Sequence, residues 1–277
     1  MKHWKLPFVR GGMMPSSKAW AKWFDTAAGQ SLLAAERATV TACIQRFFGY
    51  HQLEVVLSDS ADIGAGSLLG HRIVATQRPS GQLDSVLPCQ PHLLPIASDS
   101  VDLVILHHTL DVSPRPHQVL REASRVLRSG GHVVVVGFNP YSLWGLMRLI
   151  ARRRKVPWAG RFLSGSRLED WCSLLDLSAR RMEYRLFGTL LGTGSAAAKA
   201  LAEGRPGLVE RLARQLKLPL GGFYVCVSQK QVGSMIPLKT AWRPKIRSSA
   251  AVLNMAAYRE AAYEDTRYDD EDADHSH

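Results

Sequence analysis

Two stretches of the chain hold side chains whose types and spacing could do chemistry. The apolar run "SVDLVILHH" (100–108) ends on His107 and His108, and Asp111 follows three residues later. Histidine changes charge near neutral pH, so a ring at the end of a strand can take a proton from an attacking oxygen or nitrogen. The alternative is a strand-end histidine satisfied by backbone. The second stretch, "LSDSADIGAGSLLGHRIVATQ" (57–77), carries Gly64, Gly66 and Gly70 between two short apolar runs. An α/β protein places a nucleotide-cradling loop after such a strand, because glycine lets backbone approach a ligand closely. Here the glycines come late. A helix of three turns takes about 11 residues, so the gap from Ser58 to His71 leaves little room for one.

The surrounding elements follow from apolar periodicity. Residues 17–48 read as helical, with Leu32, Leu33, Ala35, Val40, Ile44 and Phe47 near one face. "LEVVLS" (53–58), "HRIVATQ" (71–77), "SVDLVILHH" and "HVVVVGF" (132–138) are short, near-continuous apolar runs of the kind buried in a parallel sheet. Between the last two, "RPHQVLREASRVLRSGG" has helical spacing, with Gly130 and Gly131 as its stop. Ser166 and Glu169 form a capping box that starts a later helix. Segments 180–188 and 221–230 read as closing strands around a basic helical span. The order predicts a Rossmann-like doubly wound α/β sheet, mostly parallel with an antiparallel last strand, and helices on both faces. The domain boundaries expected are 1–50 for lead-in helices, 51–235 for the sheet domain, and 236–277 for an extension ending in a disordered acidic tail.

Charge is unevenly placed along the 277 residues. Of the formal net charge of +11, residues 259–277 contribute −6, from eight acids against Arg259 and Arg267, which leaves +17 elsewhere. The tail is too polar to bury a core. The segment 146–167 holds Arg152, Arg153, Arg154 and Lys155 with no acid. It suits an anionic partner, either RNA or a membrane surface, or else a helix packed on the sheet with its arginines in water. Cys43, Cys89, Cys172 and Cys226 lack metal or redox spacing, so free thiols in a cytoplasmic protein are expected, with no metal site. No run is long and uninterrupted enough to predict a transmembrane segment.

The stretch 91–140 resembles class I S-adenosylmethionine-dependent methyltransferases, most closely the type 11 methyltransferase-domain group. That group runs Leu-Pro, Ser-Phe-Asp, a strand, Leu-Glu-His, a helix, Leu-Lys-Pro-Gly-Gly and a strand. The counterparts are Leu94-Pro95, Ser100-Val101-Asp102, Leu110-Asp111-Val112 and Leu127-Arg128-Ser129-Gly130-Gly131. "WFDTAAGQSLLAAER" (23–37) looks like the group's lead-in helix, and the resemblance spans roughly residues 20–230. Asp102, at a strand start, reads as a turn or capping group rather than a catalyst.

The resemblance implies S-adenosylmethionine as methyl donor, lying across the carboxyl ends of the first strands. It assigns donor contacts to Ser58, Asp59, Gly64 and Gly66 in a degenerate glycine-rich loop. It further assigns Thr76 or Gln77, where the group has a ribose-binding acid, and Gln90, where an aspartate meets the adenine. His107, His108 and Asp111 fall near the donor methyl, with Asn139 and Tyr141 at the same mouth. The function implied is methyl transfer to an unidentified acceptor. Two alternatives stand beside it: a methyltransferase fold kept as a binding or scaffold module that has lost the donor, and a nucleic-acid-binding protein using the 146–167 segment.

Overall fold

The computed structural model of the protein describes residues 17–58, 61–77, 79, 86–146, 156, 158–185, 215 and 220–231. The chain separates into two units, Met1–Gly233 and Ser234–His277. All described residues belong to the first. Asp59, Arg152, Arg153, Arg154, Lys155, the helical span before residue 215 and the 236–277 extension lie outside the described residues.

The lead-in region forms two helices where one span was predicted, α1 (Ser17–Phe24) and α2 (Ala27–Ile44). The break has a local cause. Thr26 adopts extended backbone and its hydroxyl accepts the Gly29 N–H at 3.2 Å, the geometry of an N-cap. Gly29 then lets α2 abut the end of α1, since a Cβ there would sit 2.4 Å from the Trp23 carbonyl oxygen. Trp20 and Phe24 of α1 are fully buried by this turn.

The sheet strands are β1 (His51–Val55), β2 (His71–Thr76), β3 (Val86–Pro88), β4 (Val101–His107), β5 (Leu127–Phe138), β6 (Leu177–Arg185) and β7 (Phe223–Lys230). They lie in the order β3-β2-β1-β4-β5-β7-β6. β1 to β5 pair in parallel, and β7 runs antiparallel to both β5 and β6. This is the doubly wound, mostly parallel sheet that the apolar runs imply. One face carries α1 and α2, whose side chains meet Leu103, Ile105, Val134 and Phe138. The other carries α4 (Pro116–Val126) and α5 (Gly165–Ser173), which cover Leu53, Val55, Val104 and Leu106. A four-residue turn of helix, α3 (Thr109–Val112), follows β4.

Two boundaries differ from the sequence reading. α4 stops at Val126, four residues before Gly130, because buried Leu127 already pairs with Val101 as the first residue of β5. The register then shifts, and Gly130 takes φ +81 within that irregular start. Gly130 and Gly131 therefore bend a strand entry instead of ending the helix. α5 is capped by Ser164, which accepts from the Arg167 N–H at 3.4 Å, while Ser166 lies inside its first turn. Asp102 behaves as a capping group: its Oδ2 accepts the Tyr50 and His51 N–H groups at 2.9 and 3.0 Å, and Arg128 donates to Oδ1.

The α1–α2 contact gives a direct stability test. Gly29→Ala pushes a methyl into backbone and should destabilise the protein by about 1–3 kcal/mol. Gly70→Ala, where nothing lies within 4 Å, should leave the denaturation midpoint nearly unchanged. Urea unfolding of both variants checks the contrast.

Candidate functional site

The carboxyl ends of β1, β2 and β4 form the edge at which doubly wound sheets bind ligands. The link from β1 to β2 shapes that edge. Its described residues, 56–58 and 61–70, contain no α-helix, only turns and a 3₁₀ residue at Ala61. A coil packed on a sheet must satisfy its backbone polar groups without water. β1 supplies the partners: Gln52 and Glu54, alternate residues on one face, are both fully buried. The Gly64 N–H donates to Glu54 Oε2 at 3.0 Å, and Gln52 Nε2 donates to the Gly64 carbonyl at 3.0 Å. Arg72 of β2 pairs with Glu54 and, at 2.6 Å, with Asp62. Arg37 of α2 donates to the carbonyls of Ala61 and Asp62 at 2.7 and 3.1 Å.

This arrangement explains the late glycines. A Cβ at Gly64 would meet Gln52 Nε2 at 2.1 Å and Glu54 Oε1 at 2.2 Å, and one at Gly66 would meet Thr41 of α2 at 2.4 Å. Gly64 and Gly66 thus serve close packing of the link against β1 and α2. Ser58 is buried at the end of β1, whereas Gln77 and Gln90 are exposed. The Gln90 carbonyl accepts the Leu93 N–H. Of the two residues at the end of β2, Thr76 is the buried one, and its Oγ1 has no hydrogen-bond partner among the described residues.

At the end of β4 the structure brings His107, His108 and Asp111 together around a residue the sequence reading did not single out, Glu36 of α2. His107 Nε2 lies 2.9 Å from Glu36 Oε2, and His108 Nε2 lies 2.7 Å from Glu36 Oε1. His108 Nδ1 is 2.8 Å from Asp111 Oδ2, which also accepts the Phe138 N–H at 3.0 Å. All four side chains are buried. His108 holds φ 50, a left-handed backbone that is rare outside glycine. That turn lets consecutive histidines aim at the same carboxylate, and the His108 ring stacks on Phe138 at 4.0 Å. The expectation of no metal-ligand cluster is revised by this geometry, because Glu36, His107 and His108 offer three ligand atoms within 4.8 Å of one another. Glu36 stands 71 residues before His107 and reaches it only through tertiary packing. Its one signal is an acid among apolar residues on the core face of a helix.

Residues 62–135 match the family model described as a methyltransferase domain, of the type 11 group. The match spans β2, β3, β4 and α4 and most of β5, so this part of the sheet domain is similar to a methyltransferase domain. A curated relative, the uncharacterized protein YafS of Escherichia coli (strain K12), is 34% identical over 157 residues, which are 56% of this chain. The chain spans 63% of the length of that relative. Among solved structures, a methyltransferase from Thermotoga maritima, described as a possible histamine N-methyltransferase, superposes with a TM-score of 0.54 at 17% identity, covering 77% of this chain and 95% of that one. The cyclase SpnF superposes with a TM-score of 0.50 at 14% identity, covering 80% and 98%. At such identities the likeness is one of fold. No helix among the described residues is long and apolar enough to cross a membrane.

The Glu36 cluster is electrostatically divided. Burial disfavours charge on Glu36, but the charge of His108 and hydrogen bonds from both imidazoles outweigh it and hold the carboxyl at about 2. Burial likewise disfavours charged His108, yet Glu36 and Asp111 outweigh it and raise the ring to about 9. For His107 burial wins and its value falls, helped by the charge of His108. Burial also wins at Asp111, whose carboxyl is raised despite its hydrogen bonds from His108 and Phe138. Near neutral pH the pair Glu36⁻–His108⁺ is charged and His107 is neutral. The facing carboxylate assigns the His107 proton to Nε2.

Linkage fixes the sign of the pH dependence. The Glu36 contribution is present above about 4.5 and is lost as pH falls toward about 2. The His108 contribution is present below about 6.5 and is lost as pH rises through about 9. With a chelator present, the melting temperature should therefore fall between pH 6.5 and 9, by the equivalent of on the order of 3 kcal/mol. His108→Gln should start lower and lack that slope. Calorimetric scans of both proteins across this range decide it.

Proposed function

We propose that the protein transfers a methyl group from S-adenosylmethionine to a nucleophilic acceptor. The observation that carries this reading is that the matched segment supplies β2 and β4, whose carboxyl ends form the ligand-binding edge of the doubly wound sheet. In this reading Ser58 and Thr76 face the donor from β1 and β2. The unpartnered Thr76 hydroxyl accounts for one ribose contact. A threonine supplies one such bond where a carboxylate supplies two, so donor affinity is modest. The sulfonium is already activated, and catalysis consists mainly of holding donor and acceptor in line. Buried His107, His108 and Asp111 contribute by fixing α2 against the end of β4.

One observation favours a second reading, a binding module without methyl transfer. The two glycines of the expected donor loop are packed against Gln52, Glu54 and Thr41, which leaves fewer backbone groups for a ligand. The fold also occurs in SpnF, described as a cyclase, so fold alone does not fix the reaction.

Titration calorimetry with S-adenosylmethionine and S-adenosylhomocysteine separates the two. The methyltransferase reading expects saturable heat with both compounds. Thr76→Val should weaken binding about tenfold, the worth of one lost hydrogen bond. Absence of heat from folded protein overturns donor binding and leaves the second reading.

A further inference from the structure

We propose that Glu36, His107 and His108 form a binding site for one first-row divalent cation, of the zinc class, which joins α2 to the end of β4. The site goes beyond the methyl-transfer reading and does not depend on it.

Two imidazoles and a carboxylate are the ligand types that zinc and its neighbours prefer. Their positions suit a cation as well as their types. At metal–ligand distances of about 2.0–2.1 Å, adjacent ligand atoms on one ion stand about 2.9–3.4 Å apart. The Glu36–His107 and Glu36–His108 separations, 2.9 and 2.7 Å, lie at or just inside the lower edge of that range. All three ligand atoms lie within 4.8 Å of one another, so they can close onto a cation by movements on the order of an ångström or less. The histidines present the same nitrogen, Nε2, to the same carboxylate. Behind His108, Asp111 receives Nδ1 at 2.8 Å, the carboxylate–histidine arrangement that orients a metal-binding ring and raises its basicity. Asp111 is fixed in turn by the Phe138 N–H.

Charge points the same way. A dication would take the place of the proton on His108 and shift the His107 proton to Nδ1. Two neutral imidazoles and two carboxylates, with two negative charges, then face an ion that cancels them, so uptake releases a proton. The walls are the rings of Phe24 and Phe138, which pack on the histidines at 4.0–5.8 Å. Such walls fit a structural ion held during folding better than an exchangeable catalytic one.

The test uses full-length protein, stripped with chelator, exposed to Zn²⁺ or Co²⁺ and desalted. A surface pair must be controlled for, because exposed His51 and His71 stand with their Nδ1 atoms 3.1 Å apart and could bind the same ions. The double variant His51→Ala/His71→Ala removes that pair without touching the cluster. We expect it to retain one zinc per chain by mass spectrometry, with a melting temperature several degrees above the stripped form. Its Co²⁺ form should show visible d–d bands, and X-ray absorption should count two imidazoles. Glu36→Gln and His107→Gln should each lose the metal and the thermal gain. A folded double variant that retains no zinc overturns the site, as does metal retained undiminished in Glu36→Gln. If the cluster variants fail to fold, the imidazole count in the double variant decides alone: fewer than two overturns the assignment.

Discussion

A carboxylate that has no contact with water constrains everything around it. Glu36 is such a group, and ionising it alone in the core would cost several kcal/mol or more. Its two oxygens are each taken by one histidine, and those histidines are consecutive residues at the end of β4. The backbone of His108 must adopt φ 50 to permit this. Asp111 then closes the circuit by holding His108 and accepting the Phe138 N–H of β5. Helix α2, strand β4, turn α3 and strand β5 are thus fixed to one another at the ligand edge. Removing one member would strand buried charge, which costs about 3–5 kcal/mol by comparison with other buried pairs.

A second constraint acts on the neighbouring strand. The described residues of the link from β1 to β2 form no α-helix, so their backbone polar groups need partners from elsewhere. Gln52, Glu54, Arg37 and Arg72 provide them, which is why one face of β1 is polar inside a hydrophobic domain. Glycine is needed at 64 and 66 because polar side chains already fill the space a Cβ would take. Glycine, a residue type that suits a ligand cradle, here forms a packing contact.

Much of the fold was legible because it rests on local patterns. The apolar runs at β4 and β5 and the amphipathic α4 between them specify a parallel unit, and the structure has it. The lack of an α-helix among the described residues between Ser58 and His71 was likewise readable from length. Boundaries were less so: Gly130 and Gly131 resemble a helix stop, yet strand pairing of Leu127 with Val101 ends the helix earlier. Ser166 resembles a cap, but Ser164 takes that role two residues before it. The site was legible only in part. His107, His108 and Asp111 stand close in sequence, whereas Glu36 joins them through a contact spanning 71 residues. The roles of Gly64 and Gly66 depend on which side chains face them across the sheet, which spacing does not encode.

The carboxyl edge of β1, β2 and β4 is the proposed ligand site, and the 61–70 link packs beside it. A crystal structure grown with S-adenosylhomocysteine tests this most directly. The nucleoside should lie at the ends of β1 and β2, with a ribose hydroxyl within hydrogen-bond distance of Thr76 Oγ1 and with Gly64 and Gly66 still seated against Glu54 and Thr41. A ligand held by the backbone of Gly64 and Gly66, with Glu54 released from the link, would contradict it.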